Sequence, residues 1–422
     1  MQMDMELFHE LLVEIEQIPA TDIHTHIRAD LPAAPNLSEI VLCPYIRAEL
    51  ETAGVSAEVF EIEEIKKRVL EASKHFGKIE NTTSFWCLTH ILRDLYGLTE
   101  EPHEADMESL SKAVEQTAQN PEWASNVLEK ANVSNVFLVC DWRSRIPEMS
   151  RPFVPTLRID SLINEAHNPK TMDTLTEVTE QSVYDANELR KAIARLFESA
   201  KEAGAVAATV SVEPGTDFVP SDRNEADRVL SLMLLSQKIN RDDRKMIRSY
   251  VMDQVLKACA DHKMPLQLML GVRQLREDNK RIAAYEPGMM AMYADLFARH
   301  DGVKFDVFSA SEQFNHELAV IARLYPNVYA SGYWWYQMFP ERIRSMVRER
   351  VQMLPMTKSC GFFSDARCVE WLYSRAKLAR WEITYALTEM VEQHYIEEGP
   401  AVRTARCYLQ ENPARIYGLS AD

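Results

Sequence analysis

A chain of 422 residues, 46% of them hydrophobic, is long enough to bury one enlarged domain. Its formal net charge of −17 argues against a phosphate-binding field and therefore against a nucleic-acid partner, so an acidic ligand would need local arginines. The seven cysteines are scattered, odd in number and without CxxC spacing, which offers neither a disulfide framework nor a structural zinc module and fits a reducing, cytoplasmic setting.

Residues 1–20 read as a charged amphipathic helix with acids at Asp4, Glu6, Glu10, Glu14 and Glu16, which is not a signal peptide. No apolar run approaches membrane-spanning length, so no membrane partner is expected. Short apolar runs then recur, each followed by a helical pattern, at 21–25, 135–141, 153–158, 205–212, 266–272, 304–309, 328–332 and 361–365. Eight β/α units favour closure into a (β/α)8 TIM barrel. Between the first and second runs the helical periodicity at 56–76, 83–96 and 107–119 is too long for one crossover and predicts a helical insertion after strand 1 beside the barrel mouth. The expected organisation is an N-terminal helix and first strand over 1–36, the insertion over 37–130, and the remaining barrel with C-terminal helices over 131–422. Twelve glycines, with no glycine-rich phosphate loop, speak against a nucleotide cradle.

Chemistry concentrates at the ends of the first and last runs. Alternate strand residues point the same way, so His24 and His26 in Asp22-Ile23-His24-Thr25-His26 face one side at the C-terminal mouth, where barrel sites lie. Two neutral imidazoles on one face make half a zinc site, although an isolated HxH is equally an ordinary pair. Asp365 follows the eighth run, which barrel closure places beside the first; alone, it reads as a helix N-cap, but together with the histidines it offers a third ligand.

His24-Thr25-His26 with Asp365 resembles the amidohydrolase superfamily, and further segments resemble uronate isomerases, in particular a divergent branch of that family. These segments are Pro44-Tyr45-Ile46-Arg47-Ala48-Glu49, Thr156-Leu157-Arg158-Ile159-Asp160-Ser161-Leu162-Ile163-Asn164, Ser331-Gly332-Tyr333-Trp334-Trp335 and Ser364-Asp365-Ala366-Arg367. The similarity runs in order over nearly the whole chain. The runs at 205–212, 266–272 and 304–309 contain no histidine, and Lys304 is their only lysine, so the second metal of binuclear relatives is not expected.

The resemblance implies interconversion of D-glucuronate with D-fructuronate, or of D-galacturonate with D-tagaturonate, around one divalent ion, zinc first and manganese or another divalent ion as alternatives. It assigns metal ligation to His24, His26 and Asp365, proton transfer to Asp365 and Tyr45, support of charge at the reacting centre to Arg367, and substrate binding to Arg158. One indole of Trp334 and Trp335 walls the sugar pocket on this reading and the other packs inward. A phenol is a poor base near neutral pH unless metal or arginine charge lies close, and a packed core tyrosine is the plainer reading of Tyr45. Surface salt bridges are expected for Arg28, Arg47 and Arg375 and not for Arg158 or Arg367, while His90 and His316 are expected to be structural.

The chain departs from the main branch at Pro44, Met269 and Ala376, each standing where a histidine is usual. The partner is then a small hexuronate, with homo-oligomerisation left open. A mononuclear hydrolase or lactonase of the same superfamily and a non-catalytic uronate-binding protein are the rival readings.

Overall fold

The run beginning at Ala20 is buried at every position, its polar residues Thr21, Asp22, His24 and Thr25 included, and forms the first strand, β1 (Ala20–Thr25), as a parallel strand covered on both faces does. β2 (Val133–Asp141), β3 (Phe153–Arg158), β4 (Ala207–Val212) and β5 (Leu266–Leu270) follow. A short antiparallel hairpin comes next, β6 (Val272–Gln274) with β7 (Arg281–Ala283), and then β8 (Phe305–Ser309) and β9 (Val328–Ala330). The computed structural model describes residues 3–277, 280–333 and 335–419. Seven strands pair in parallel in the order β1-β2-β3-β4-β5-β8-β9, a curled sheet with helices outside it, which is the expected barrel.

The eighth strand expected at 361–365 does not form. The extended segment that takes its place is bonded on both sides without a regular ladder. Gly332 N donates to Cys360 O at 2.7 Å and Cys360 N to Ser331 Oγ at 3.1 Å, while across the gap Asp365 N donates to His24 O at 3.1 Å and His26 N to Ala366 O at 2.8 Å. Two features stop a strand here. Ser364 N is drawn to the side chain of Asp22 at 2.9 Å, and Asp365 adopts a left-handed conformation, φ 54°, which aspartate tolerates better than bulkier residues. The expected fifth run also breaks early, at Gly271, whose φ of 95° turns the chain into the hairpin.

Between β1 and β2 lie the insertion helices, from Leu37–Val41 and Pro44–Thr52 to Thr83–Tyr96, Met107–Thr117 and Trp123–Lys130. The periodic stretch at 56–76 resolves into two helices, Ala57–Phe60 and Ile65–Ser73. One buried carboxylate joins this layer to the barrel. Glu370, on the helix Val369–Glu392, accepts from Ala34 N at 3.0 Å, Tyr96 Oη at 3.2 Å and Trp123 Nε1 at 2.9 Å. Inside the barrel Ile23, Phe137, Met269, Phe308 and Phe363 pack together, and Ile416 and Tyr417 of the last helix, Asn412–Tyr417, enter the same cluster. Among the described residues no helix is long and apolar enough to cross a membrane.

Candidate active site and metal centre

β1 carries His24 inside the barrel and hands His26 to its mouth, with the ring centroids 5.3 Å apart and the planes nearly perpendicular. The closing segment brings Asp365 to the same place, with His26 Nε2 3.3 Å from Asp365 Oδ1. One donor atom from each of His24, His26 and Asp365 lies within 4.8 Å of the others, and among the described residues no other group of three such side chains does so. The site is asymmetric in its access: the His26 side chain is 34% exposed and that of Asp365 13%.

The protonation states suit a cation. Burial, reinforced by the charge of His26, pushes the His24 imidazole down to about 4, leaving it neutral at neutral pH. Burial alone would raise the Asp365 carboxyl, but the hydrogen bond and charge of His26, the charge of His24 and the Tyr45 hydroxyl together hold it below the usual carboxylate range. Two imidazoles and an ionised carboxylate within reach of one point form a donor set that fits a single divalent ion. β4, β5 and β8 contain no histidine or lysine, and Lys304 Nζ donates at 2.8 Å to the Arg415 carbonyl near the end of the chain, so the residues of a second, bridged metal are not there.

Tyr45 comes from the helix Pro44–Thr52, with Pro44 at its first turn, where a missing N–H costs nothing. Its hydroxyl donates to Asp365 Oδ2 at 3.1 Å. Burial and the charge of Asp365 raise the phenol well above its ordinary value, and Arg375 pulls in the opposite direction. The guanidinium of Arg375 stands 5.0 Å from the centroid of the Tyr45 ring and 5.6 Å from that of Trp371. The expected surface salt bridge of Arg375 is therefore wrong. The residue is buried, on the helix Val369–Glu392, and stacks on the tyrosine of the site.

Residues 77–403 match the profile of the glucuronate isomerase family. The chain belongs to that family. Among its relatives, the uronate isomerase of Rhizobium meliloti (strain 1021) is 20% identical over 454 residues, an alignment covering 95% of this chain and 93% of that protein. The uronate isomerase of Thermotoga maritima superposes with a TM-score of 0.90 at 18% identity, covering 98% of this chain and 97% of that one. The glucuronate isomerase of Caulobacter crescentus gives 0.87 at 16% identity, covering 99% and 95%. At such identities these superpositions establish a shared fold.

In this glucuronate isomerase family chain the other expected residues divide. Arg158 lies at the end of β3, close enough for its charge to act on His24, but it also forms an ion pair with Asp160 at 2.6 Å, contrary to expectation. Asp160 in turn accepts from Ser211 N at 2.8 Å, so the pair is tied to the end of β4. Arg367 is exposed and has no hydrogen-bond or ion-pair partner among the described residues. Trp335 is part-buried against the inner cluster, at φ 57°, whereas Trp334 lies outside the described residues. Arg28 pairs with Asp30 at the surface, Arg47 with Glu51 and Glu61, His90 with Asp94 and His316 with Glu349, all as expected of structural residues.

At the departures from the family pattern, Met269 accepts a weak hydrogen bond from Thr209 at 3.8 Å inside the barrel, and Ala376 is buried. Two functional candidates escaped the sequence reading, Arg375 and Gln267. Gln267 points inward from β5 and meets His24 Nδ1 at 3.2 Å. An isolated polar residue in an otherwise apolar strand was the one available signal for Gln267.

Proposed function

We propose that this chain interconverts a hexuronate aldose and its ketose, D-glucuronate with D-fructuronate or D-galacturonate with D-tagaturonate, at the site formed by His24, His26, Asp365 and Tyr45. The observation that carries this reading is that an ionised carboxylate, two imidazoles, that of His24 held neutral by burial, and a protonated phenol come together from three separate chain segments. His24, His26 and Asp365 would hold one divalent ion, zinc first. Such an ion, when bound, supplies Lewis acidity at a substrate carbonyl and the neighbouring hydroxyl.

Aldose–ketose exchange moves one proton between adjacent carbons and another between their oxygens. Asp365, held ionised, is the acceptor for a hydroxyl proton. Tyr45, 3.1 Å away, carries a proton on its oxygen and is the group placed to deliver it to the reacting face and, once it has given that proton up, to take one back. Arg375 keeps the ring in that position by stacking on it. Arg158 at the end of β3 is the cation available to a substrate carboxylate, and Arg367, exposed two residues past Asp365, supplies a second positive charge at the mouth. Trp335 supports the pocket wall from the inner cluster. The seven free cysteines support work in a reducing compartment.

The test is to incubate the zinc-loaded protein with each uronate in D2O and follow proton NMR. Ketose signals growing from one of the two uronates are expected. Failure of both to yield ketose under these conditions, with the protein folded and zinc-loaded, would remove the isomerase reading. A ring-opened product from a uronate lactone, without any ketose, would put a hydrolase in its place.

A further inference from the structure

A file of hydrogen bonds runs through the barrel beneath the candidate metal centre, and its proton directions can be assigned. Gln267 Nε2 lies 2.7 Å from the carbonyl oxygen of Ile23, which can only accept. That contact fixes which end of the amide is nitrogen, so Gln267 Oε1 is the atom 3.2 Å from His24 Nδ1. An amide oxygen cannot donate, and His24 Nδ1 must therefore carry the proton. The second hydrogen of Gln267 Nε2 goes to Tyr417 Oη at 3.0 Å, and Tyr417 donates its own hydroxyl proton to Asp306 Oδ2. Gln267 and Asp306 are register partners on β5 and β8, so both side chains enter the barrel at one level. Every link then points the same way: His24 to Gln267, Gln267 to Tyr417, Tyr417 to Asp306.

We infer that Gln267 is a positioning residue that fixes His24 as the Nδ1–H tautomer with its Nε2 lone pair turned to the metal, and that Tyr417 and Asp306 hold Gln267 in that orientation from the interior. The inference rests on reading His24, His26 and Asp365 as a metal site. A histidine that binds a metal through one ring nitrogen commonly gives the proton of the other to a fixed acceptor, which sets both tautomer and ring angle. Here that acceptor is an amide, itself locked by a backbone carbonyl and by a phenol supplied from the last helix. The amide is buried at 0% exposure, so water does not compete for the His24 proton.

Two measurements that do not involve turnover test this. Long-range proton–nitrogen correlation of the imidazoles in the metal-free protein, assigned with a His24→Gln variant, should show His24 protonated at Nδ1; protonation at Nε2 overturns the inference without any variant of Gln267. Zinc affinity, read by competition with a chromophoric chelator, should fall about 10- to 100-fold in Gln267→Leu. Part of it should return in Gln267→Glu, where one carboxylate oxygen still accepts from Nδ1–H but the other meets the Ile23 carbonyl without a proton to give. Tyr417→Phe, which leaves the amide in place but unlocks it, should lose less than Gln267→Leu, and wild-type affinity in that variant would overturn the role of Tyr417 and Asp306. A folded Gln267→Leu protein with wild-type zinc affinity would sink the role of Gln267. If the wild-type protein takes up no zinc at all, the metal reading fails, and the tautomer measurement decides the assignment of His24 by itself.

Discussion

Tyr45 and Asp365, 320 residues apart in sequence, share a hydrogen bond of 3.1 Å at the mouth of the barrel. One comes from the inserted helices and the other from the segment that closes the sheet, so the bond exists only when both parts are folded and docked. Their environments push the two groups apart, the carboxyl held low and the phenol high.

Asp365→Asn should abolish turnover, with kcat lowered by at least about 100-fold, because the amide neither accepts the hydroxyl proton nor neutralises a divalent ion. Denaturation midpoints should stay close to wild type, since asparagine keeps the shape and tolerates the left-handed backbone at this position. Near-normal kcat in the zinc-loaded variant would take Asp365 out of the chemistry.

Arg375→Met keeps the apolar stem under Tyr45 but removes the charge on its ring. With a cation–π contact in the range of about 0.5–2 kcal/mol, kcat should fall roughly 2- to 30-fold, and Arg375→Lys should recover part of it. KM for the uronate should change little, because Arg375 faces the tyrosine rather than the mouth. A loss confined to KM would show that Arg375 binds substrate instead.

Gly332→Ala should destabilise the protein by about 2 kcal/mol or more. The glycine has φ 62°, and a methyl group there would lie 2.0 Å from the ring of Phe363, which packs beside His24. Urea denaturation reads the loss directly, and an unchanged midpoint would mean that the Phe363 ring moves aside freely.

Asp306 predicts a pH signature in stability. Burial raises its carboxyl to about 6 from an ordinary value of 3.8, against hydrogen bonds from Ser331 and Tyr417 and the charge of Arg350. A carboxyl raised in the folded state binds its proton more tightly there than in the unfolded chain. Its contribution is therefore fully present below 3.8 and is lost as pH rises through 6. Asp306→Asn cannot titrate, so relative to this variant the wild type should lose about 2 kcal/mol between about pH 4.5 and pH 7. A stability gap independent of pH would contradict the raised carboxyl.

Much of this was written in the order of residues. Most strands stand out because a parallel barrel strand is buried on both faces and reads as a short apolar-rich run, as Leu266–Leu270 does apart from Gln267, whereas Ala20–Thr25 is buried throughout although four of its six residues are polar. The meeting of His24, His26 and Asp365 was legible because strand alternation and barrel closure both act on them. The missing eighth strand was not, because the partner of Ser364 N is a side chain 342 residues away, Asp22, and no local pattern encodes it. Arg375 was misread for a similar reason. The helix Val369–Glu392 is buried on almost every side, so its periodicity does not say which face meets solvent, and the Tyr45 ring arrives from the insertion.

Glu370 sets a limit on how the site can be reached. It sits five residues beyond Asp365 and accepts from the loop after β1 and from two separate insertion helices, with its side chain wholly shielded. Swinging the inserted helices outward as a cover would leave a buried carboxyl without its partners and forfeit three donors at once, a penalty of several kcal/mol. With the inserted layer seated, the way to the site lies past the partly open rim at His26.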